Sequence, residues 1–127
     1  MTQERIQKGK AGEKAAEEFL VNQGYRILER NYRNRLGEID IIAKEGKTIC
    51  FVEVKMRSGN RQGSGFEAIS LRKQRKISQV ALSYLKLNHF LDSLARFDVV
   101  AIEKRPQSEL KIEILKDAFE LSSPYAY

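Results

Sequence analysis

The sequence predicts an α/β fold: a central mixed sheet flanked by helices, in the order α-β-β-β-α-β-β. Three observations carry this. Two stretches show helical periodicity, and five short apolar stretches show strand character. The first three of those strands are separated only by turn residues, which suits an antiparallel meander.

KAGEKAAEEFLVNQG, residues 10–24, reads as the first helix, with Ala16, Phe19, Leu20 and Gln23 on one side and Gly24 as the residue that ends it. Glu13 falls at the edge of that side. YRILERNYR alternates as a first strand, with Asn31 read as a turn or strand-end residue. Asn34 to Gly37 supplies a turn into GEIDIIAK, and Glu45-Gly46-Lys47 a short reversal into TICFVEVKMR. Residues 57–65, RSGNRQGSG, hold three glycines and no periodicity, and read as a mobile loop. SLRKQRKISQVALSYLKL reads as the second helix, capped by Ser70, with Ile77, Val80, Ala81, Tyr84 and Leu85 as its apolar stripe. RFDVVAIE and ELKIEILKDAF supply the fourth and fifth strands, and Arg96 with Asp98 suits a salt-bridged strand start.

The chain has 127 residues, which fits one domain. No stretch approaches the roughly 20 apolar residues needed to span a bilayer, and the polar start MTQERIQKGK lacks a secretory signal, so a cytoplasmic protein is expected. A single Cys50, read as a small core residue, excludes an internal disulfide, and with a single His89 the usual zinc ligand sets are missing. Net charge is +6 with a pI near 9.5, which favours a polyanionic partner, nucleic acid first. Scattered aromatics give no base-stacking platform for single strands.

The chemistry concentrates in the second and third strands. Strand alternation puts Ile39, Ile41 and Ala43 on one side and Glu38, Asp40 and Ile42 on the other; Cys50, Val52, Val54 and Met56 oppose Phe51, Glu53, Lys55 and Arg57. As hairpin neighbours, Asp40 and Glu53 would meet on one face, with Lys55 one pleat along. Two carboxylates drawn out of water near each other need compensation, and a divalent cation supplies it. Mg²⁺ or Mn²⁺ on Asp40 and Glu53 would polarise a phosphoryl oxygen and activate a water, with Lys55 on the nucleophile or the developing charge. Glu-x-Lys alone is a weak signal, since Glu45-Gly46-Lys47 and Glu109-Leu110-Lys111 also occur. The alternative is a solvated charge pattern across an antiparallel sheet.

Gly12-Glu13, Asn31, Gly37-Glu38-Ile39-Asp40, Phe51-Val52-Glu53-Val54-Lys55 with Arg57, Lys73 and Arg96-Phe97-Asp98 resemble the bacterial YraN-like proteins over about residues 8–102. That family is grouped with the PD-(D/E)XK, or restriction-endonuclease-like, nucleases, and is similar to archaeal Holliday-junction resolvases. The resemblance implies an α-β-β-β-α-β core. It implies Asp40 and Glu53 as metal ligands, Lys55 as the catalytic lysine, and Glu13 as a helix carboxylate that approaches the metal directly or through water. Ile39 stands where the superfamily's name has proline.

Arg72, Lys73, Arg75 and Lys76 crowd the start of the second helix, where the macrodipole favours anions, so a phosphate backbone is the expected neighbour. A solvated helix turn is the plainer reading. Arg57 and Arg61 of the glycine-rich stretch could close on the same backbone. The expected function is a Mg²⁺- or Mn²⁺-dependent DNA endonuclease selective for branched or junction structures, for which a symmetric substrate would favour a homodimer. The alternative is a nucleic-acid-binding module on the same fold without hydrolysis.

Overall fold

The computed structural model describes residues 3–58, 69–104 and 109–122. The elements are α1 (Gln3–Asn22), β1 (Arg26–Asn34), β2 (Gly37–Glu45), β3 (Thr48–Ser58), α2 (Leu71–Leu87), β4 (Leu94–Lys104) and β5 (Leu110–Phe119). They form one five-stranded sheet in the order β1-β2-β3-β4-β5. The meander β1-β2-β3 is antiparallel, β3 and β4 run parallel, and β5 returns antiparallel to β4. The mixed α/β architecture is the one the sequence predicts. Helix α1 extends further towards the N-terminus than its periodic stretch suggests. Arg61 lies outside the described residues, as does most of the 57–65 stretch; Arg57 belongs to β3.

Each face of the sheet carries one helix. Under α2, Ile77, Val80, Ala81, Tyr84 and Leu85 pack on Ile39, Ile42, Ile49, Phe51 and Phe97. On the other face Ala16 and Leu20 of α1 pack on Ile41, Ala43, Cys50, Val52, Val100 and Ile102. Burying a large aliphatic side chain contributes about 1.5–3 kcal/mol, so these stripes hold the helices down.

Helix ends follow local chemistry. The Tyr25 amide donates to the Leu20 carbonyl at 2.9 Å and the Gly24 amide to the Val21 carbonyl at 3.0 Å, while Gly24 takes φ +95°, a conformation that glycine adopts without a Cβ clash. Ser70 Oγ accepts from the Lys73 amide at 3.2 Å and caps α2.

Two departures from simple alternation shape the sheet. Between the pairs Ile27–Ala43 and Glu29–Ile42 the β1 register slips by one residue. The second departure matters more. Ile39 joins the α2-side cluster, whereas Ile41 and Ala43 join the α1-side cluster, so Ile39 and Ile41 do not share a face as alternation predicts. Asn31 lies opposite the break. It is no turn or strand end: it lies inside β1 with φ +50°, between the registered pairs Arg30–Ile41 and Tyr32–Ile39. A left-handed residue within a strand bends it and increases the local twist.

Candidate metal and nucleic-acid site

The site begins where β2 and β3 part. Their registered pairs end at Ile41–Val52. Beyond that point the Asp40 carboxylate takes over the ladder's work, accepting the Val54 amide at 2.8 Å. A short acidic side chain is suited to this, because it satisfies a backbone donor that the separating strand no longer reaches. Asp40 is thereby held in the fork. It is not half of a simple cross-strand pair with Glu53, as alternation had suggested.

Burial, and after it the charge of Glu53, push the Asp40 carboxyl up to about 7; the Val54 amide works in the opposite direction, and Glu13 and Glu38 add further negative charge. Among the described residues no cation forms an ion pair with Asp40.

Glu53 and Lys55 lie on β3 in register with Val99 and Ala101 of the parallel neighbour β4. Alternation from Phe51 directs both towards α2. Glu53 is only 12% exposed, and its carboxylate meets Lys73 Nζ from the first turn of α2 at 2.5 Å. Lys55 is half-buried and has no ion-pair or hydrogen-bond partner among the described residues. Arg72, Arg75 and Lys76 are exposed around Lys73.

Glu13 arrives from α1. Gly12 is buried, and a Cβ there would stand 2.3 Å from Met56 Sδ, so the missing side chain lets α1 run close against the end of β3. This approach brings Glu13 to a cleft of about 250 Å³ lined by Lys10, Glu13, Lys14, Glu17, Arg30, Asn31, Asp40 and Ile41. Arg30 Nε donates to Glu17 at 2.8 Å across the cleft rim.

Of the residues singled out from the sequence, Asp40, Glu53, Lys55, Lys73 and Glu13 thus gather around the β2–β3 fork. Glu13 does not complete a three-carboxylate cage: among the described residues no group of three or more His, Cys, Asp or Glu side chains is arranged to hold a metal. The donor chemistry of Asp40 and Glu53 still suits a hard cation, since Mg²⁺ takes one or two carboxylates with water and substrate oxygens completing the shell. The Lys73 ammonium on Glu53 is a cation already resident there.

Lys10, Lys14 and Arg30 are cleft residues that the motif reading did not single out, and Asn31 is one it named without placing at the site. Hairpin arithmetic could have found Asn31, because pairing Asn34 with Gly37 across the turn sets Asn31 opposite Asp40.

Arg96 and Asp98 stand elsewhere and act as the predicted strand-fixing pair. Asp98 is fully buried and accepts from Arg96 Nε at 2.9 Å, Tyr25 Oη at 3.0 Å and the Asp117 amide at 3.0 Å. Arg96 also donates to Glu45 at 2.6 Å, and Lys116 closes the set on Glu45 at 2.8 Å. Burial, then the Asp98 charge, push the buried Cys50 thiol up to about 12, as befits a core cysteine. His89 is exposed just beyond α2 with φ +61°.

The family model described as "Uncharacterised protein family UPF0102" matches residues 12–102. The chain belongs to UPF0102. The expected YraN resemblance is thereby borne out. A UPF0102 protein of Syntrophus aciditrophicus is 49% identical over 122 residues, covering 96% of this chain and 94% of that protein. One from Geotalea uraniireducens is 48% identical over 114 residues, and one from Symbiobacterium thermophilum 46% over 111 residues. Among solved structures, Pyrococcus furiosus SfsA in complex with Ca²⁺ aligns at 21% identity with a TM-score of 0.41, over 86% of the UPF0102 chain and 62% of SfsA. No helix among the described residues is long and apolar enough to cross a membrane.

Proposed function

We propose that this UPF0102 protein is a divalent-metal-dependent endonuclease acting on DNA, with Asp40 and Glu53 as the metal ligands. The observation that carries the reading is the fork itself. Asp40 is held by Val54 in a half-buried position beside a second carboxylate, with its pKa raised to about 7, and a cation relieves that charge. Bound Mg²⁺ or Mn²⁺ would supply Lewis acidity towards a phosphoryl oxygen and lower the pKa of a coordinated water.

The chain's own residues do the rest. Lys55, half-buried and without an ion-pair or hydrogen-bond partner among the described residues, sits one pleat from Glu53, suited to orient the attacking water and to offset charge on the phosphoryl oxygens. The water oxygen forms a bond to phosphorus and gives up a proton to solvent, and the opposite P–O bond breaks as the departing sugar oxygen takes a proton from solvent water. Glu13, across the cleft from Asp40, can hold a water at the site. Arg72, Lys73, Arg75 and Lys76 offer exposed cations to a phosphate backbone. Few base-reading elements accompany them, which favours recognition of a branch, flap or junction over a sequence.

A binding module without hydrolysis is the second reading. It is favoured by the Lys73–Glu53 pair, which neutralises one of the proposed ligands.

The deciding experiment is cleavage of labelled four-way junction, flap, duplex and single-stranded DNA in Mg²⁺, Mn²⁺ or EDTA. Metal-dependent cutting that disappears in Glu53→Gln and Lys55→Ala supports the enzyme. Salt-sensitive binding without cutting in any metal supports the module.

A further inference from the structure

Lys73 occupies a position that the proposed chemistry does not explain. Its ammonium lies 2.5 Å from a carboxylate oxygen that metal binding would require, on a Glu53 side chain that is 12% exposed. Lys73 itself is 49% exposed and sits in the first turn of α2, directly beside Arg72 and near Arg75 and Lys76. One cation therefore touches both the acidic fork and the basic face.

We infer that Lys73 is an internal counter-ion that a divalent cation displaces from Glu53, and that its release hands the ammonium to the nucleic-acid phosphate. The inference rests on the metal reading of Asp40 and Glu53. The physical argument is competition. A monovalent ammonium and a hard divalent ion seek the same oxygens, and the half-buried setting makes an unpaired Glu53 costly, so one of them is always needed. Lys73 keeps the fork folded without metal at the expense of metal affinity. Once released, it lies on the helix turn that already presents three cations, where the macrodipole disfavours positive charge unless an anion arrives. Metal binding and backbone binding are thereby coupled through one side chain, with each favouring the other.

Isothermal titration of metal-free protein with Mn²⁺ alone tests the first half. Lys73→Met keeps the stem and removes the charge, and is expected to tighten Mn²⁺ binding by about ten-fold. Lys73→Arg keeps the competitor and should remain near wild type. Unchanged or weaker binding by Lys73→Met, with wild type binding normally, overturns the inference and leaves the metal site standing. No Mn²⁺ binding by wild type or by either variant overturns the metal reading together with it.

The second half is read from the salt dependence of duplex affinity, with Ca²⁺ as the divalent ion and with EDTA. Lys73→Met is expected to reduce the slope by about one in Ca²⁺ and to leave it unchanged in EDTA. Equal slopes for the two proteins in both conditions overturn the handover.

Discussion

Two charged clusters lie on the same sheet and are built on opposite terms. At the start of β4, Asp98 is fully buried yet has three kinds of donor, and Arg96, Tyr25, Glu45 and Lys116 close into one network with every charge answered. At the β2–β3 fork, Glu53, Glu13 and Glu38 place negative charge around the Asp40 carboxyl, whose own partner is a backbone amide, while Lys73 pairs with Glu53 and Arg33 with Glu38. The first cluster is complete and holds the sheet together. The second leaves Asp40 without an ion pair among the described residues and is where a ligand is expected. Burial alone does not mark a functional site; burial with unbalanced charge does.

The largest expected effect comes from breaking the complete cluster. Asp98→Ala leaves Arg96 and Tyr25 without their shared acceptor inside the protein and should cost about 3–5 kcal/mol in chemical denaturation. A cost below about 1 kcal/mol would erase the contrast between the clusters.

Asp40→Asn should act in the other direction. Its folded carboxyl titrates near 7 against an ordinary value of 3.8, so the folded state binds the proton more tightly than the unfolded one. That contribution to stability is fully present below pH 3.8 and is lost as pH rises through 7. Denaturation in EDTA should therefore show Asp40→Asn more stable than wild type by about 1–3 kcal/mol at pH 8, with the gap closing towards pH 5. Equal stability at pH 8 would mean that the Asp40 charge is already balanced. Mn²⁺ should raise the thermal midpoint of wild type more at pH 8 than at pH 6, because protons compete for Asp40, and should leave Asp40→Asn nearly unmoved.

Much of this arrangement was legible in the sequence. The α2 stripe, its Ser70 cap and the Gly24 stop appear as expected, because periodicity and caps are local signals. The Arg96–Asp98 pair was also legible, since the two residues sit two apart on one strand. What alternation missed was Ile39. The change of face lies opposite Asn31 of the neighbouring strand, a left-handed residue that a one-strand pattern does not reveal. Asp40 and Glu53 were legible as residues and not as geometry, because the strands separate before the pair could form a rung. Lys73 stood out as one of four basic residues and as part of the family resemblance, but its partner is on β3 and depends on how α2 docks.

Smaller effects sharpen the contrast at the fork's edges. Ser70→Ala removes the cap from the turn that carries Lys73 and should cost about 1 kcal/mol, read from the thermal midpoint. Gly12→Ala crowds Met56, but that side chain is half-exposed and can swing aside, and alanine gains helix propensity. Its net change should be about 1 kcal/mol or less.

The parallel seam has a consequence for the order of assembly. Strands β1, β2 and β3 are neighbours in sequence and in space, so the meander bearing Asp40, Glu53 and Lys55 closes through short loops. The β3–β4 pairing instead joins Thr48 to Leu94 and runs to Ser58 against Lys104, across the whole of α2. Contacts of such sequence separation cost loop entropy before they return any stability, and they set the folding rate. The acidic half of the fork is therefore encoded in a hairpin-scale unit, and its lysine counterpart on α2 reaches it only when the slow, long-range step brings the helix down on the sheet.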